Sequence, residues 1–211
     1  MAPKATVGAA SELRQLSGRR GAVLPDGILA DVFAVLVTGP PGSGKTAVLT
    51  AMLDALAMDG LSHAGVDVDE VAWAFPFPNL SQRCDHLRAW RDSHAQAGAT
   101  LFVVAEVIET NVHLADVLSA LGVDDHLLVR LDAQPATLRQ RIIAREPEGW
   151  FGLDHLFEET RRLHRTMAAL KGLHLVFDSD LTTPTEIAES VRAARSDLLS
   201  APNPPPGEGG C

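Results

Sequence analysis

Gly39-Pro40-Pro41-Gly42-Ser43-Gly44-Lys45-Thr46 fits the pattern G-x-x-x-x-G-K-[ST], the spacing of a phosphate-binding loop between a strand and a helix. The glycines let the backbone curl with its N–H groups facing inward, and no Cβ stands in the way of a phosphate. The helix expected from Lys45 onward adds its positive N-terminal end. In such a loop the lysine, here Lys45, reaches the β- and γ-phosphates, and the Thr46 hydroxyl binds Mg²⁺. All eight residues, Gly39, Pro40, Pro41, Gly42, Ser43, Gly44, Lys45 and Thr46, are therefore candidate nucleotide contacts. The pattern points to a nucleoside triphosphate and leaves the acceptor open.

Working outward, Val32 to Val37 is a continuous apolar run of strand length, as expected for a strand buried on both faces. After the loop, Val48, Leu49, Met52, Leu53 and Leu56 share one helical side, which stops at Gly60. His63 to Val68 reads as a second strand. Leu80 to Ala97 is a helix with Leu80, Cys84, Leu87 and Trp90 on one stripe, and Leu101 to Val107 is a third strand. Thr110 can cap the next helix. A fourth strand follows at Leu127–Leu131, then a helix at Pro135–Glu146 with proline in its first turn. Helical spacing resumes from Leu153 to Leu170, and Leu173–Phe177 is a fifth strand. Thr183-Pro184-Thr185-Glu186 is a capping box that opens the last helix. Right-handed crossovers between such alternating elements predict an α/β fold, a parallel sheet covered on both faces. Residues 1–31 read as a weakly patterned extension with a helical turn at Ser11–Leu16, residues 32–200 as the nucleotide-binding domain, and residues 201–211 as a disordered tail rich in proline and glycine.

The 211 residues suit one domain, and 46% hydrophobic content is ample for its core. A net charge of −9 argues against a nucleic-acid partner, which needs a basic face. Cys84 and Cys211 are the only cysteines, which implies no disulfide framework. The absence of an apolar leader or span makes a cytoplasmic protein without membrane contact the expectation, as monomer or homodimer. The eight histidines lack metal-binding spacing.

Ligands of parallel sheets sit at the carboxyl ends of the strands. The loop, Asp67/Asp69, Glu106/Glu109 and Asp178/Asp180 all fall there. Residues two apart on a strand face the same way, so Asp67 and Asp69 can both point into the phosphate crevice. One can hold Mg²⁺ and the other can take a proton from an acceptor hydroxyl. Glu106 ends an apolar strand in the manner of a Walker B acid, placed to help hold Mg²⁺ or to position water or substrate; Glu109 is a second substrate candidate. Phosphoryl transfer also needs cations against the transferring group. Arg141 and Arg145 share one helix face, and Arg161, Arg162 and Arg165 follow a segment with Pro147, Gly149 and Gly152 that suits a mobile lid over about residues 146–165. Trp73, Phe75, Phe77 and Arg88 are the candidates for an acceptor pocket.

The chain resembles the small P-loop kinases of the nucleotide-kinase type: shikimate, gluconate and adenylylsulfate kinases. The resemblance covers about residues 33–194. It rests on Gly39–Thr46, on Asp67-Val68-Asp69, and on the strand-then-arginine segment Leu131-Asp132-Ala133-Gln134-Pro135-Ala136-Thr137-Leu138-Arg139-Gln140-Arg141. It also looks like actinobacterial AAA-type P-loop ATPases, with a V-D-x-D segment and a tryptophan-bearing helix such as Leu87-Arg88-Ala89-Trp90. The resemblance implies a three-layer P-loop fold with five strands in the order 2-3-1-4-5 and a helical lid. It also implies Asp67 on the Mg²⁺ side, Asp69 at the acceptor hydroxyl, and Arg141 or Arg145 near adenine or phosphate. Ala105-Glu106 replaces the shikimate-kinase glycine pair, and Val71-Ala72-Trp73 stands where adenylylsulfate kinases carry an arginine, so neither substrate carries over.

The expected activity is transfer of the γ-phosphate of ATP, with Mg²⁺, to a hydroxyl of a metabolite, nucleoside or antibiotic. Lys45, Asp67, Asp69 and Arg145 are the expected catalytic set. The competing expectation is a nucleotide-dependent regulatory ATPase with no small acceptor. The N-K-x-D base reader of the usual GTPases is absent.

Overall fold

The computed structural model describes residues 32–71 and 74–199, with the backbone of a two-residue antiparallel ribbon, Ala22–Val23 against Leu29–Ala30, before them. The helical turn expected at Ser11–Leu16, the tail 201–211 and Trp73 lie outside the described residues.

Phe33–Thr38 (β1) is the centre of a five-stranded parallel sheet. His63–Asp67 (β2), Leu101–Ala105 (β3), Asp125–Asp132 (β4) and Leu175–Asp178 (β5) complete it. The order is β2-β3-β1-β4-β5, all pairs parallel, as the resemblance implied. Phe33 pairs with Leu101 on one side and Asp125 on the other, so the three central strands begin level.

Alternation along β1 explains the unbroken apolar run. Ala34 and Leu36 join Ala64, Val66, Phe102, Val104 and Leu128 on one face, while Phe33, Val35 and Val37 join Leu101, Val103, Val129 and Leu131 on the other. The first face is covered by Leu80–Gln96 (α3) and Asn111–Leu121 (α4), through Cys84, Leu87, Leu114, Val117 and Leu121. The second is covered by Lys45–Met58 (α1) and Pro184–Ala194 (α7), through Val48, Met52, Leu56, Ile187 and Val191. Burying one leucine as fully as Leu36 contributes about 2 kcal/mol. Both faces of β1 gain in this way, so the strand that delivers the phosphate loop is firmly anchored in the sheet.

Caps set where helices begin. The Thr110 hydroxyl accepts from His113 N, and Thr183 with Glu186 forms the expected reciprocal box ahead of Pro184. Asn79 and Gln82 form another box at the start of α3. The four-residue Val68–Val71 (α2) follows β2 directly. That changes one expectation: the second strand stops at Asp67, so Asp69 is a helical residue and not a strand residue two places on. The cause is local, since Asp67 Oδ1 accepts from Asp69 N and turns the chain. Beyond Pro135–Arg145 (α5), the long helical pattern divides into Leu153–Thr166 (α6) and a 3₁₀ turn at Met167–Ala169. The last strand starts at Leu175, two residues later than the apolar run suggests.

Candidate active site

The loop from Gly39 to Thr46 leaves β1 and feeds α1. Ser43 N donates to Pro40 O, closing a tight turn. Gly42 and Gly44 have φ of +81° and +94°, the left-handed region that favours glycine. A Cβ on Gly39 would lie 2.5 Å from Leu131 O and from Ser43 Oγ, and one on Gly42 would lie 2.8 Å from Leu138 O. Gly39 and Gly42 are thus demanded by close approach, and Gly44, with open space beside it, by backbone angle alone. α1, like α5 and α6, has no capping side chain, so no cap occupies its first N–H groups. Ser43 Oγ is also buried without a hydrogen-bond partner.

Lys45 folds back across this cradle, its Nζ 3.1 Å from Gly39 O and 3.4 Å from Pro40 O. Burial pulls its pKa down, and Asp69, Asp67 and Glu106 pull against that change. A desolvated lysine beside acids is a cation held ready for a polyanion. Thr46 Oγ1 donates to Asp67 Oδ2 at 2.6 Å. Two hard oxygen donors from neighbouring elements therefore meet at the loop, and Mg²⁺ is commonly held by one or two protein oxygens together with phosphate and water. The donor set fits Mg²⁺. Among the described residues no group of three or more His, Cys, Asp and Glu could hold a metal by itself.

Glu106 follows β3. Its N–H donates to Val37 O, which extends the β1 ladder by one residue, and Ile108 N donates to Thr38 Oγ1. The carboxylate is 1% exposed, with Oε1 accepting from Val107 N and from Arg83 Nη2. Burial outweighs the nearby guanidinium and pushes its pKa up to about 7. The same Arg83 Nη2 lies 3.0 Å from Asp69 Oδ1, so one guanidinium joins the buried acid to the exposed one. Asp69 Oδ2 accepts no hydrogen bond from the described residues. His113 Nε2 stands 3.9 Å from Glu106 Oε1, buried and without a hydrogen bond, and burial lowers its pKa, which favours the neutral ring.

The remaining candidates divide. Glu109 is gripped by both terminal nitrogens of Arg162, which also binds Glu159; these contacts hold the Glu109 pKa down. Arg141 donates to Gly42 O, Ser179 Oγ and Ser179 O, so it braces the phosphate loop against the turn after β5. Arg145 pairs with its neighbour Glu146 and remains 60% exposed, close enough to Lys45 to lower that pKa. Arg139 stacks over Phe157, and Arg161 pairs with Glu158. Asp180 accepts from Gln134 N and Thr137 Oγ1, a turn-building role. Phe75 and Phe77 are exposed on the loop between α2 and α3. Arg88, expected at the acceptor, pairs with Asp85 on the exposed side of α3, and Arg83 on the same helix enters the acid cluster instead. Arg83 follows Leu80 by three residues and precedes Leu87 by four, so it lies along the buried stripe. That spacing was the signal available in the sequence.

The fold has solved counterparts. A sugar kinase from Janibacter sp. HTCC2649 superposes with a TM-score of 0.58 at 18% identity, covering 81% of this chain and 99% of that one. The Mycobacterium tuberculosis APS kinase bound to AMPPNP and APS gives 0.54 at 23% identity, covering 80% and 98%. A gluconokinase from Sinorhizobium meliloti 1021 gives 0.53 at 16%, covering 79% and 97%. The chain has the P-loop kinase fold. No family model matches it, and no curated protein matches it. Among the described residues no helix is long and apolar enough to cross a membrane.

Proposed function

We propose that the chain is an ATP-dependent phosphotransferase that moves the γ-phosphate to a hydroxyl of a small molecule. The observation that carries this reading is the pair of bonds on Asp67: Oδ2 accepts from Thr46 of the phosphate loop, and Oδ1 accepts from Asp69 N. One carboxylate thereby ties the nucleotide cradle to the acid expected to meet the acceptor.

Mg²⁺ held through Thr46 and Asp67 would neutralise charge on the β- and γ-phosphates. The loop N–H groups and Lys45 bind the same oxygens. Asp69, oriented through Oδ1 by Arg83, leaves Oδ2 to take the acceptor's proton. The acceptor oxygen bonds to the γ-phosphorus while the bond from that phosphorus to the β–γ bridging oxygen breaks, and ADP leaves with the electron pair. Arg145 supplies positive charge to the transferring group. The turn between α5 and α6, with exposed Trp150 and Phe151 and with Gly149 at φ +75°, serves as the tip of a lid over residues 146–165 that excludes water.

The test is incubation of the full chain with Mg·ATP and a panel of alcohols, with ADP and phosphorylated acceptor quantified together. The reading requires the two products in equal amounts, and Asp69→Asn to slow both at least about a hundredfold while ATP still binds. ADP formed at the same rate with and without every alcohol counts against it.

A further inference from the structure

Resting on that phosphotransferase reading, we infer that the acceptor is an amine-bearing alcohol, a cation selected by the acids around Arg83 and Arg162. On this side of the site each arginine is already matched to two carboxylates. Arg83 bonds to Asp69 and Glu106, and Arg162 bonds to Glu109 and Glu159. With Glu106 partly protonated near neutral pH, Asp69, Glu109 and Glu159 still outnumber the two guanidinium groups on the side proposed for the acceptor.

Neither arginine is available to an anionic acceptor. Arg162 grips Glu109 with both terminal nitrogens, the planar fork that makes such pairs strong. Moving Arg83 to a substrate carboxylate would take the cation from Glu106, which would then hold a proton, and would release Asp69, the proposed base, from the partner that orients it. His113 does not alter the balance, because burial holds its ring neutral. The nucleotide side differs: Lys45 faces the loop, and Arg145 is open to solvent. Charge is therefore divided across the site, cations toward the triphosphate and acids toward the acceptor. The loop between Asp69 and Arg83 adds Phe75 and Phe77, 93% and 77% exposed, and aromatic faces attract ammonium groups.

The test offers the full chain, with saturating Mg·ATP, matched alcohols that differ in one group. One series is glucosamine, glucose and glucuronate; the other is phenylalaninol, phenylpropanol and phenyllactate. The expected result is a kcat/KM for an amine member roughly ten- to a hundredfold above its neutral partner, the effect of one charge-assisted hydrogen bond, with the acid last. Glu109→Gln, at a half-exposed position and with its melting temperature checked, narrows that ratio. Preference for a neutral or acidic member overturns the inference and leaves the phosphotransferase reading standing. So does an absence of turnover in both series while Mg·ATP still binds. Failure of Mg·ATP to bind overturns both readings.

Discussion

On the side proposed for the nucleotide, the site is built from backbone. Consecutive residues form the cradle, its shape follows from glycines at left-handed angles, and the helix behind it lacks a capping side chain. On the side proposed for the acceptor, the site is built from side chains. Asp69 comes from α2, Arg83 from α3, Glu106 from the end of β3, and Arg162 from α6. A backbone cradle depends on its glycines, on Lys45 and on the Thr46 hydroxyl. A side-chain network can be altered one partner at a time, so this half can change its ligand while the other keeps its own.

The contrast can be broken most forcefully at Lys45. Lys45→Ala removes the cation nearest the phosphates, and turnover should fall at least about a thousandfold, with weaker Mg·ATP binding in a calorimetric titration. A loss below tenfold would mean that the cradle is not where the phosphate binds. Asp69→Asn should cost roughly a hundred- to a thousandfold in kcat, with the Kd for ATP unchanged. A parallel loss of nucleotide affinity would move Asp69 to the nucleotide half.

Glu106 sharpens the comparison through pH. Its folded pKa is raised to about 7 by burial, above the ordinary value of 4.5. The folded chain therefore holds a proton that the unfolded chain has released between these values. This term lowers stability as pH rises from about 4.5 to about 7, and it is level on either side. The total is on the order of 3 kcal/mol, of which local relaxation would remove part. Denaturant melts of wild type and Glu106→Gln at pH 5 and 7.5 should converge, or cross in favour of the variant, at the higher pH. A constant difference would show that Glu106 ionises as it does in water. Arg88→Ala should do least, because its pair with Asp85 is exposed and one turn apart on α3. Stability should shift by less than about 0.5 kcal/mol with no change in acceptor KM. A large KM change would return Arg88 to the acceptor side.

The same contrast explains what could be read from the sequence. The loop is a contiguous pattern whose spacing encodes its own geometry, and doubly buried strands such as Phe33–Thr38 announce themselves as unbroken apolar runs. The order of the strands came from resemblance to known kinases, since alternation alone does not specify it. Asp69 is expected in the crevice from strand alternation, and the structure changes that reason: alternation does not apply beyond Asp67, where the carboxylate starts a helical turn. Choosing between Arg83 and Arg88 required knowing which face of α3 meets β3, and the apolar stripe through Leu80, Cys84 and Leu87 held that information. The pairing of Glu109 with Arg162 spans fifty-three positions and joins separate elements, so no local pattern could carry it.

Everything proposed for the acceptor presupposes that the cradle takes Mg·ATP. The most direct measurement is an equilibrium titration of the full chain with Mg·ATP, repeated with Lys45→Ala of equal melting temperature. The account predicts saturable binding at one site per chain in the wild type and at least about tenfold weaker binding in the variant. No binding by a folded wild-type sample at millimolar Mg·ATP, or equal binding by both proteins, would contradict it.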